Sequence, residues 1–276
     1  EVGTMKIVVC FKQVPDTTEV RLDPVTNTLI REGVPSIINP DDKCGIEAAL
    51  RIKEQIPGTT VTVLSMGIPS VDVAMREALA MGCDEAVLLS DRPLGGADTW
   101  ATSTSIAAAL KKMDYDLIIC GRQAIDGDTA QVGPQIAEHL GIPQVSYVEE
   151  IMDVNETSIT VKRQFEDRYH VIEAKLPCLI TCLSELNDPR YMSVGGIFDA
   201  YREKEVKVWN VATITEGMTD EEKAYLNENI GLKGSPTNVV QSFTKQPKGK
   251  GEVYKDVSAD EAVEIIVKKL ADKFII

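Results

Sequence analysis

A polar loop with two glycines separates a run of buried-type residues from an amphipathic helix in the middle of the chain. The apolar run 116–120 predicts a strand, and Gly121 and Gly127 permit tight turns and close approach of the backbone to a ligand. Thr129 is placed to cap the following helix, and Pro134 suits its first turn. This layout presents backbone N–H groups to a phosphate. Since the loop lacks the Walker A and dinucleotide spacings, a phosphate site and an ordinary capped helix both remain open.

A second loop with paired glycines lies between a predicted strand and an alanine-rich helix. Gly95 and Gly96 precede Asp98 and Thr99, either of which can cap that helix, so a flexible capped turn is one interpretation. Paired glycines also let a planar ring approach the backbone closely.

The bulk properties exclude several classes of function. The chain has 276 residues and a formal net charge of −14, so binding to a phosphate backbone of nucleic acid is not expected. Six cysteines are scattered without a CxxC pair, and no signal peptide or membrane span is evident, so we expect reduced thiols and a cytoplasmic protein. With His139 and His170 far apart, no metal site is expected.

Strand-like and helix-like runs alternate through the first half of the chain. Central continuous apolar strands predict an α/β fold with a doubly wound, mostly parallel, Rossmann-like sheet. Ligands of such sheets bind beyond the carboxyl ends of the strands. Four segments at these ends are expected to converge on one ligand: 12–17, 39–42, 65–68 and 121–132.

The pattern changes after Pro143. Segments 158–163 and 169–175 alternate about a turn and predict an antiparallel hairpin, whereas Gly195 and Gly196 are expected to interrupt regular structure. Residues 212–257 are too polar to bury a core of their own. A terminal helix is predicted from Ser258, capped with Glu261, with one apolar stripe: Val263, Ile266, Val267, Leu270 and Phe274. We therefore predict an α/β domain over 5–207 and an extended arm over 208–276.

Several strings of this sequence together resemble one known family. GRQAIDGDTAQVGPQIAEHLG closely resembles the nucleotide loop of the beta subunit of electron-transfer flavoproteins. MKIVVCFKQVPDT is similar to that family's first strand and loop, and NPDD followed by EAALRIKE to its second loop and helix. VKRQFEDRYHVIEAKLPCLIT and ELNDPRYMSV are similar to its hairpin and its partner-facing loop. The resemblance runs from Met5 to about Lys207 and more loosely to the end.

The resemblance implies a site for the adenosine and pyrophosphate of a bound nucleotide. For Asp126 and Asp128, which would repel phosphate, capping of N–H groups and bonding to ribose hydroxyls both remain open. The residues that match this site are Cys10, Lys12, Asn39, Pro40, Asp41, Asp42, Met66, Gly121, Arg122, Gln123, Ala124, Ile125, Asp126, Gly127, Asp128, Thr129, Ala130, Gln131 and Val132.

Two segments look like the electron-bifurcating branch of the family: 12–17 and the loop Gly95, Gly96, Ala97, Asp98 and Thr99. That resemblance implies a bound FAD reduced by NADH. One electron passes to ferredoxin or flavodoxin, and the other passes through an alpha-subunit FAD to an acyl-CoA dehydrogenase-like flavoenzyme. Two alternatives are a non-bifurcating beta subunit with a structural AMP and a stand-alone nucleotide-binding regulatory module.

The resemblance also implies two protein interfaces. Arg190, Tyr191 and Val194 match the loop that docks the dehydrogenase partner, with Val194 as the apolar anchor. The arm and terminal helix are expected to pack on the alpha subunit; packing back on the chain's own domain is the alternative.

Overall fold

A computed structural model of the chain describes residues 4–16, 35–237, 240 and 249–276. The chain divides into two compact units: Glu1–Glu19 with Arg31–Val240, and Val20–Ile30 with Gln241–Ile276. The predicted loop 12–17 is described up to Asp16, and Thr17 lies outside the described residues.

The first unit is built on a nine-stranded sheet. Its spatial order is β11-β5-β4-β1-β6-β10-β7-β8-β9, parallel from β11 to β7 and antiparallel from β7 to β9. The mostly parallel sheet and the hairpin are as predicted. The strands are β1 Lys6–Cys10, β2 Gln13–Pro15, β3 Ser36–Ile38, β4 Thr60–Met66, β5 Glu85–Leu89, β6 Leu117–Gly121, β7 Gln144–Val154, β8 Ser158–Gln164, β9 Tyr169–Lys175, β10 Cys178–Cys182 and β11 Val206–Trp209, where β2 and β3 form a separate ribbon.

Helices cover both faces of the sheet because the central strands are apolar on both sides. In β1, Ile7 and Val9 join the core under α1, α2 and α5, whereas Val8 and Cys10 join the core under α3, α4, α6 and α7. The helices are α1 Pro40–Gln55, α2 Asp72–Met81, α3 Thr99–Leu110, α4 Val132–Leu140, α5 Val194–Arg202, α6 Val211–Thr215, α7 Asp220–Glu228 and α8 Ala259–Asp272.

The strand order reverses between β1 and β6. From β1 the chain builds outward through β4 and β5, then returns to add β6 on the opposite side of β1. Cys10 and Cys120 are partners across this pair, so the two following loops leave the sheet side by side. Such a crevice is where open α/β sheets bind ligands.

The glycine pair at 195–196 does not interrupt regular structure, contrary to prediction, but lies inside α5. A Cβ on Gly196 would come within 2.2 Å of the Ala80 carbonyl oxygen of α2. Close packing of the two helices therefore requires glycine here, and that packing outweighs the helix penalty of about 1 kcal/mol.

The first unit also extends beyond the predicted boundary at Lys207. Ile214, Leu226 and Ile230 are buried in the core under α3 and α4. These scattered apolar residues add to a core that the sheet already supplies, and the segment does not build a core of its own.

In the second unit, the described residues form α8 and the segment before it. Ser258 and Glu261 form the predicted capping box, and Lys269 Nζ lies 2.6 Å from a carboxylate oxygen of Glu252. On the apolar stripe, Ile266 is 58 % and Phe274 96 % exposed. Among the described residues, no helix combines the length and apolarity needed to cross a membrane.

Candidate functional site

The N-terminus of α1 meets the loop that leaves β6. Asn39, just before the helix, donates from Nδ2 to the Gln123 carbonyl oxygen at 2.8 Å and accepts from the Ile125 N–H at 3.0 Å. The buried side-chain amide of Asn39 thereby holds one carbonyl group and one N–H group of the loop backbone. We call residues 121–131 the phosphate loop.

Asp42 holds the two strand ends together. Its Oδ1 accepts the Gly121 N–H and its Oδ2 the Lys12 N–H, each at 2.8 Å. Burial raises the pKa of Asp42 to about 7, although these hydrogen bonds and one from Asn39 oppose the shift. Both carboxylate oxygens are thus used inside the protein rather than presented to a ligand.

Gly121 is required by packing against α1. A Cβ there would lie 2.2 Å from Asp42 Oδ1 and 2.9 Å from Asp41 Cβ. Because its N–H donates to Asp42, this glycine serves the fold and does not offer its own N–H to a phosphate.

Two ion pairs neutralise the charges around the phosphate loop. Lys12 Nζ lies 2.6 and 2.8 Å from the two carboxylate oxygens of Asp126, and Arg122 Nε lies 3.3 Å from Asp41 Oδ2 without hydrogen-bond geometry. Asp128 accepts from Gln123 Nε2 at 3.1 Å. Among the described residues, the hydrogen bonds of these two carboxylates thus come from the side chains of Lys12 and Gln123 rather than from backbone N–H groups.

The tip of the phosphate loop leaves backbone donors open. The predicted cap by Thr129 is wrong: its hydroxyl donates to the Gly127 carbonyl oxygen, and α4 begins after Gln131 with no side-chain cap. Within the described part of the chain, the N–H groups of residues 129–133 have no hydrogen-bond acceptor. A Cβ on Gly127 would meet no atom within 4 Å. The tip therefore combines uncapped helix donors with open space.

The loop of residues 95–99, here called the glycine loop, lies beside the phosphate loop. Asp98 caps α3, accepting the Ala101 N–H at 3.0 Å, which agrees with the capped-turn interpretation. Thr99 Oγ1 donates to Gln131 Oε1 at 2.9 Å. The N-termini of α3 and α4 are thereby joined at the same edge of the sheet, with Ala97 half-buried between the glycines and the cap.

Residues after α7 cover part of the glycine loop. The Leu232 N–H donates to the Gly95 carbonyl oxygen at 2.9 Å, and Ser235 Oγ accepts the Asp98 N–H at 2.9 Å. A Cβ on Gly96, whose φ is +73°, would lie 3.1 Å from Leu232 Cβ. Both glycines are exposed, but a side chain on Gly96 would point at Leu232, whereas one on Gly95 would have only the Arg92 carbonyl oxygen nearby, at 3.4 Å.

Cys10 and Met66 lie at the ends of β1 and β4, where they contribute to the core rather than to the loops. All six cysteines of the chain are buried, and none forms a disulfide. Burial raises the pKa of the Cys44 and Cys178 thiols to about 11 and that of Cys83 to about 12.

The segment predicted to dock a partner is anchored on α1. Arg190 Nε lies 2.7 Å from Glu47, and another Arg190 nitrogen lies 2.6 Å from Glu54. Burial alone would raise the pKa of Glu47, but the hydrogen bonds from Arg190 and Arg51 lower it overall. Tyr191 is 97 % and Val194 88 % exposed. The structure thus separates an internal anchor, Arg190, from two outward-facing apolar side chains.

Sequence reasoning missed the groups that hold these loops from outside. Leu232 and Ser235 lie more than 130 residues from the glycine loop, and no local pattern links them to it. Glu47 did carry a signal, because it is an acidic residue among the apolar residues of α1 and is 3 % exposed.

A bound adenine nucleotide is compatible with this arrangement. The open N–H groups at the start of α4 suit phosphate oxygens, and the space beside Gly127 is free of protein atoms. Asp126 and Asp41 are paired with Lys12 and Arg122, and Asp42 with backbone donors, so these three carboxylates are engaged away from the loop tip.

Known proteins are similar to this chain over nearly its whole length. Residues 26–214 match the electron transfer flavoprotein domain. The chain is 58 % identical to an electron transfer flavoprotein subunit beta of Clostridium acetobutylicum, over 98 % of this chain and 99 % of that protein. It is 55 % identical to the caffeyl-CoA reductase-Etf complex subunit CarD of Acetobacterium woodii, over 99 % and 100 %. It is 48 % identical to an acryloyl-CoA reductase electron transfer subunit gamma of Anaerotignum propionicum, over 99 % and 100 %.

The residues matched by the family include the phosphate loop and α1, which holds it. The α/β sheet places the phosphate loop at the crevice between β1 and β6. The chain therefore belongs to the electron transfer flavoprotein family, among its beta subunits.

Proposed function

We propose that this chain is the beta subunit of a heterodimeric, electron-bifurcating electron transfer flavoprotein. In this role it binds FAD and accepts hydride from NADH. One electron goes to ferredoxin or flavodoxin, and the other goes through an alpha-subunit FAD to an acyl-CoA dehydrogenase-like partner. The observation that carries the proposal is the pairing of two helix N-termini at the sheet crevice, one with open N–H groups and one beside the glycine loop.

The phosphate loop is the part suited to the pyrophosphate. Its uncapped N–H groups at 129–133 donate to phosphate oxygens, and each such charge-assisted bond is worth about 1.5–3 kcal/mol. Asn39 and Asp42 keep the loop in place from α1. The bound flavin supplies hydride acceptance and one-electron transfer, chemistry that no side chain of the chain provides.

The glycine loop is the part suited to a nicotinamide. Gly95 is exposed and open, so a planar ring can approach its backbone there. Gly96 has a structural role instead, because its left-handed conformation shapes the loop and Leu232 packs against it. The proposed platform is therefore the Gly95 side of the loop.

The names of two relatives support the partner proposal. One belongs to a caffeyl-CoA reductase-Etf complex and another to an acryloyl-CoA reductase, so an acyl-CoA-reducing flavoenzyme is a consistent partner. The outward-facing Tyr191 and Val194 provide an apolar surface for it. The apolar stripe of α8 is proposed to pack on the alpha subunit, and the assembly to work in the cytoplasm.

A non-bifurcating subunit with a structural AMP is the second candidate. It is favoured by Leu232, which covers one side of the glycine pair. The two candidates differ in cofactor content, so the flavin count of the heterodimer tests them. Two FAD per heterodimer and rapid anaerobic reduction by NADH are expected. One FAD with one AMP, or no reduction by NADH, would establish the second candidate instead.

A further inference from the structure

Asp42 is the buried carboxylate at the centre of the crevice between β1 and β6. It is the third residue of α1 and is 7 % exposed. Each oxygen accepts one backbone N–H at 2.8 Å, from Lys12 after β1 and from Gly121 at the end of β6. No other described side chain hydrogen-bonds to the backbone of both strand ends.

The two cations that adjoin the N–H donors of Asp42, Lys12 itself and Arg122 after Gly121, are engaged elsewhere. Lys12 Nζ pairs with Asp126, and Arg122 lies against Asp41. Among the described residues, Asp42 receives hydrogen bonds only from the uncharged groups of Lys12 N–H, Gly121 N–H and the Asn39 side chain. Its negative charge is thus stabilised by amide dipoles and by the N-terminus of α1, not by a counter-ion.

We propose that Asp42 is a positioning residue whose ionised carboxylate holds the strand ends and the phosphate loop in the arrangement that binds an adenine nucleotide, so that protonation of Asp42 weakens nucleotide binding. The inference rests on the proposed nucleotide site, but not on whether the occupant is FAD or AMP. Asp42 itself needs no contact with the nucleotide.

The Asp42 carboxylate accepts two N–H groups, and its protonation turns one of its two acceptor oxygens into a donor. A carboxylic acid carries its proton on one oxygen, which then donates, so one of the two N–H groups faces a poorer acceptor. Burial raises the pKa of Asp42 to about 7, so this change falls within the range of ordinary buffers. Since the binding arrangement needs the ionised form, binding releases a proton below that pH, and affinity falls as pH falls.

Other titratable groups face Asp42, and the effect of their titration must be distinguished from that of Asp42. Asp41 lies next to it on α1, and burial raises the pKa of that carboxyl while Arg122 lowers it. The Cys120 and Cys182 thiols have raised pKa values and stay neutral in this range. The remaining charged groups around the crevice are Lys12, Arg122, Asp126 and Glu185.

The test is AMP binding by calorimetry to the nucleotide-free heterodimer, between about pH 6 and pH 8.5. Wild-type affinity is expected to fall toward tenfold per unit below about pH 7. Asp42→Asn should bind about tenfold more weakly at high pH, because the amide accepts only one of the two N–H groups. It should keep only the pH dependence that comes from the AMP phosphate, whose second pKa is about 6. Asp41→Asn should keep the wild-type pH dependence.

Asp84→Asn is the matched control. Asp84 also accepts a strand N–H, that of Val61 at 2.8 Å, but at the amino edge of the same sheet. It should reproduce the wild-type profile. A flat wild-type profile, or an affinity that rises as pH falls because Asp42 repels the phosphate, would overturn the inference. So would an Asp42→Asn variant that keeps the wild-type profile. Absence of AMP binding by the wild type would instead overturn the proposed nucleotide site itself.

Discussion

The phosphate loop and the docking segment around Val194 are both held by α1, but by different kinds of contact. Asn39 and Asp42, at the start of the helix, hold the first through backbone groups. Glu47, five residues after Asp42, holds the second at a single residue, Arg190, whose guanidinium and backbone N–H both donate to it. Backbone anchoring fixes the path of the phosphate loop whatever side chains it carries. The contacts of Glu47 fix one residue of the docking segment, and Tyr191 and Val194 face outward.

The largest expected effect distinguishes the two glycines of the phosphate loop. Gly121→Val places side-chain atoms where Asp42 Oδ1 lies 2.2 Å from a Cβ, so unfolding free energy should fall by about 3 kcal/mol, which denaturant titration measures. Gly127→Val meets no neighbour and should stay within about 0.5 kcal/mol. Equal stabilities would show that backbone anchoring at Gly121 does not constrain the loop.

Gly127→Val is expected to act on binding instead. Its side chain would occupy the open space beside the loop tip and keep phosphate from the N–H groups of 129–133. Loss of two charge-assisted bonds corresponds to an affinity loss on the order of a hundredfold or more. The amount of FAD that heat releases from the heterodimer should therefore fall by the amount that is bound to this subunit. Unchanged FAD content would make Gly127 a turn residue only.

The glycine loop gives a prediction about rate. Gly95→Leu should slow flavin reduction by NADH on the order of a hundredfold, because about 1 Å of misplacement can cost that much in hydride transfer. Reduction by dithionite needs no docked nicotinamide and should be unchanged. Gly96→Leu, by contrast, collides with Leu232 and strains a left-handed residue, so it should also lower stability. Rapid NADH reduction of the Gly95 variant would exclude the platform.

Arg190→Ala tests the anchor of the docking segment. Glu47 would be left buried without its main partner, at a cost of about 1–3 kcal/mol in unfolding free energy. Because the partner lowers the pKa of Glu47, that stabilisation is present above the ordinary value of 4.5 and is lost as pH falls through the lower folded value. The difference between variant and wild type should shrink in acid; a pH-independent difference would argue against this ion pair.

Val194→Ala should have the smallest effect on the chain itself. Its side chain is exposed, so stability, FAD content and NADH oxidation with an artificial dye should not change. Electron transfer to the dehydrogenase partner should weaken by about 1–2 kcal/mol in apparent affinity if Val194 is the buried anchor of the complex. Tyr191→Ala provides a second exposed position for comparison. Unaltered transfer would remove Val194 from the interface.

The sequence predicted the sheet and the meeting of the loops for clear physical reasons. Runs such as Lys6–Cys10 and Leu117–Gly121 are apolar and continuous, as strands buried on both faces must be. The carboxyl ends of parallel strands share one edge, so Lys12, Asn39 and the phosphate loop were expected together. Hydrogen bonds join them there.

What the sequence did not predict depends on contacts between distant segments. Nothing in the local pattern indicated that Asp42 accepts the N–H groups of Lys12 and of Gly121, 79 residues away. Gly196 was expected to break structure, since its helix penalty is local while its packing on Ala80 is not. The polar composition of residues 212–237 likewise gave no sign that Leu232 would lie against Gly96.

The burial of all six cysteines has a practical consequence for experiments on this chain. Alkylating reagents attack thiolates, and buried thiols such as Cys44 and Cys83, with pKa values of about 11 and 12, stay protonated near neutral pH. One cysteine introduced at the exposed position of Tyr191 would therefore take up a spin label or fluorophore selectively, without removal of any native cysteine. Encounters of this segment with other proteins could then be timed directly in an otherwise unaltered chain.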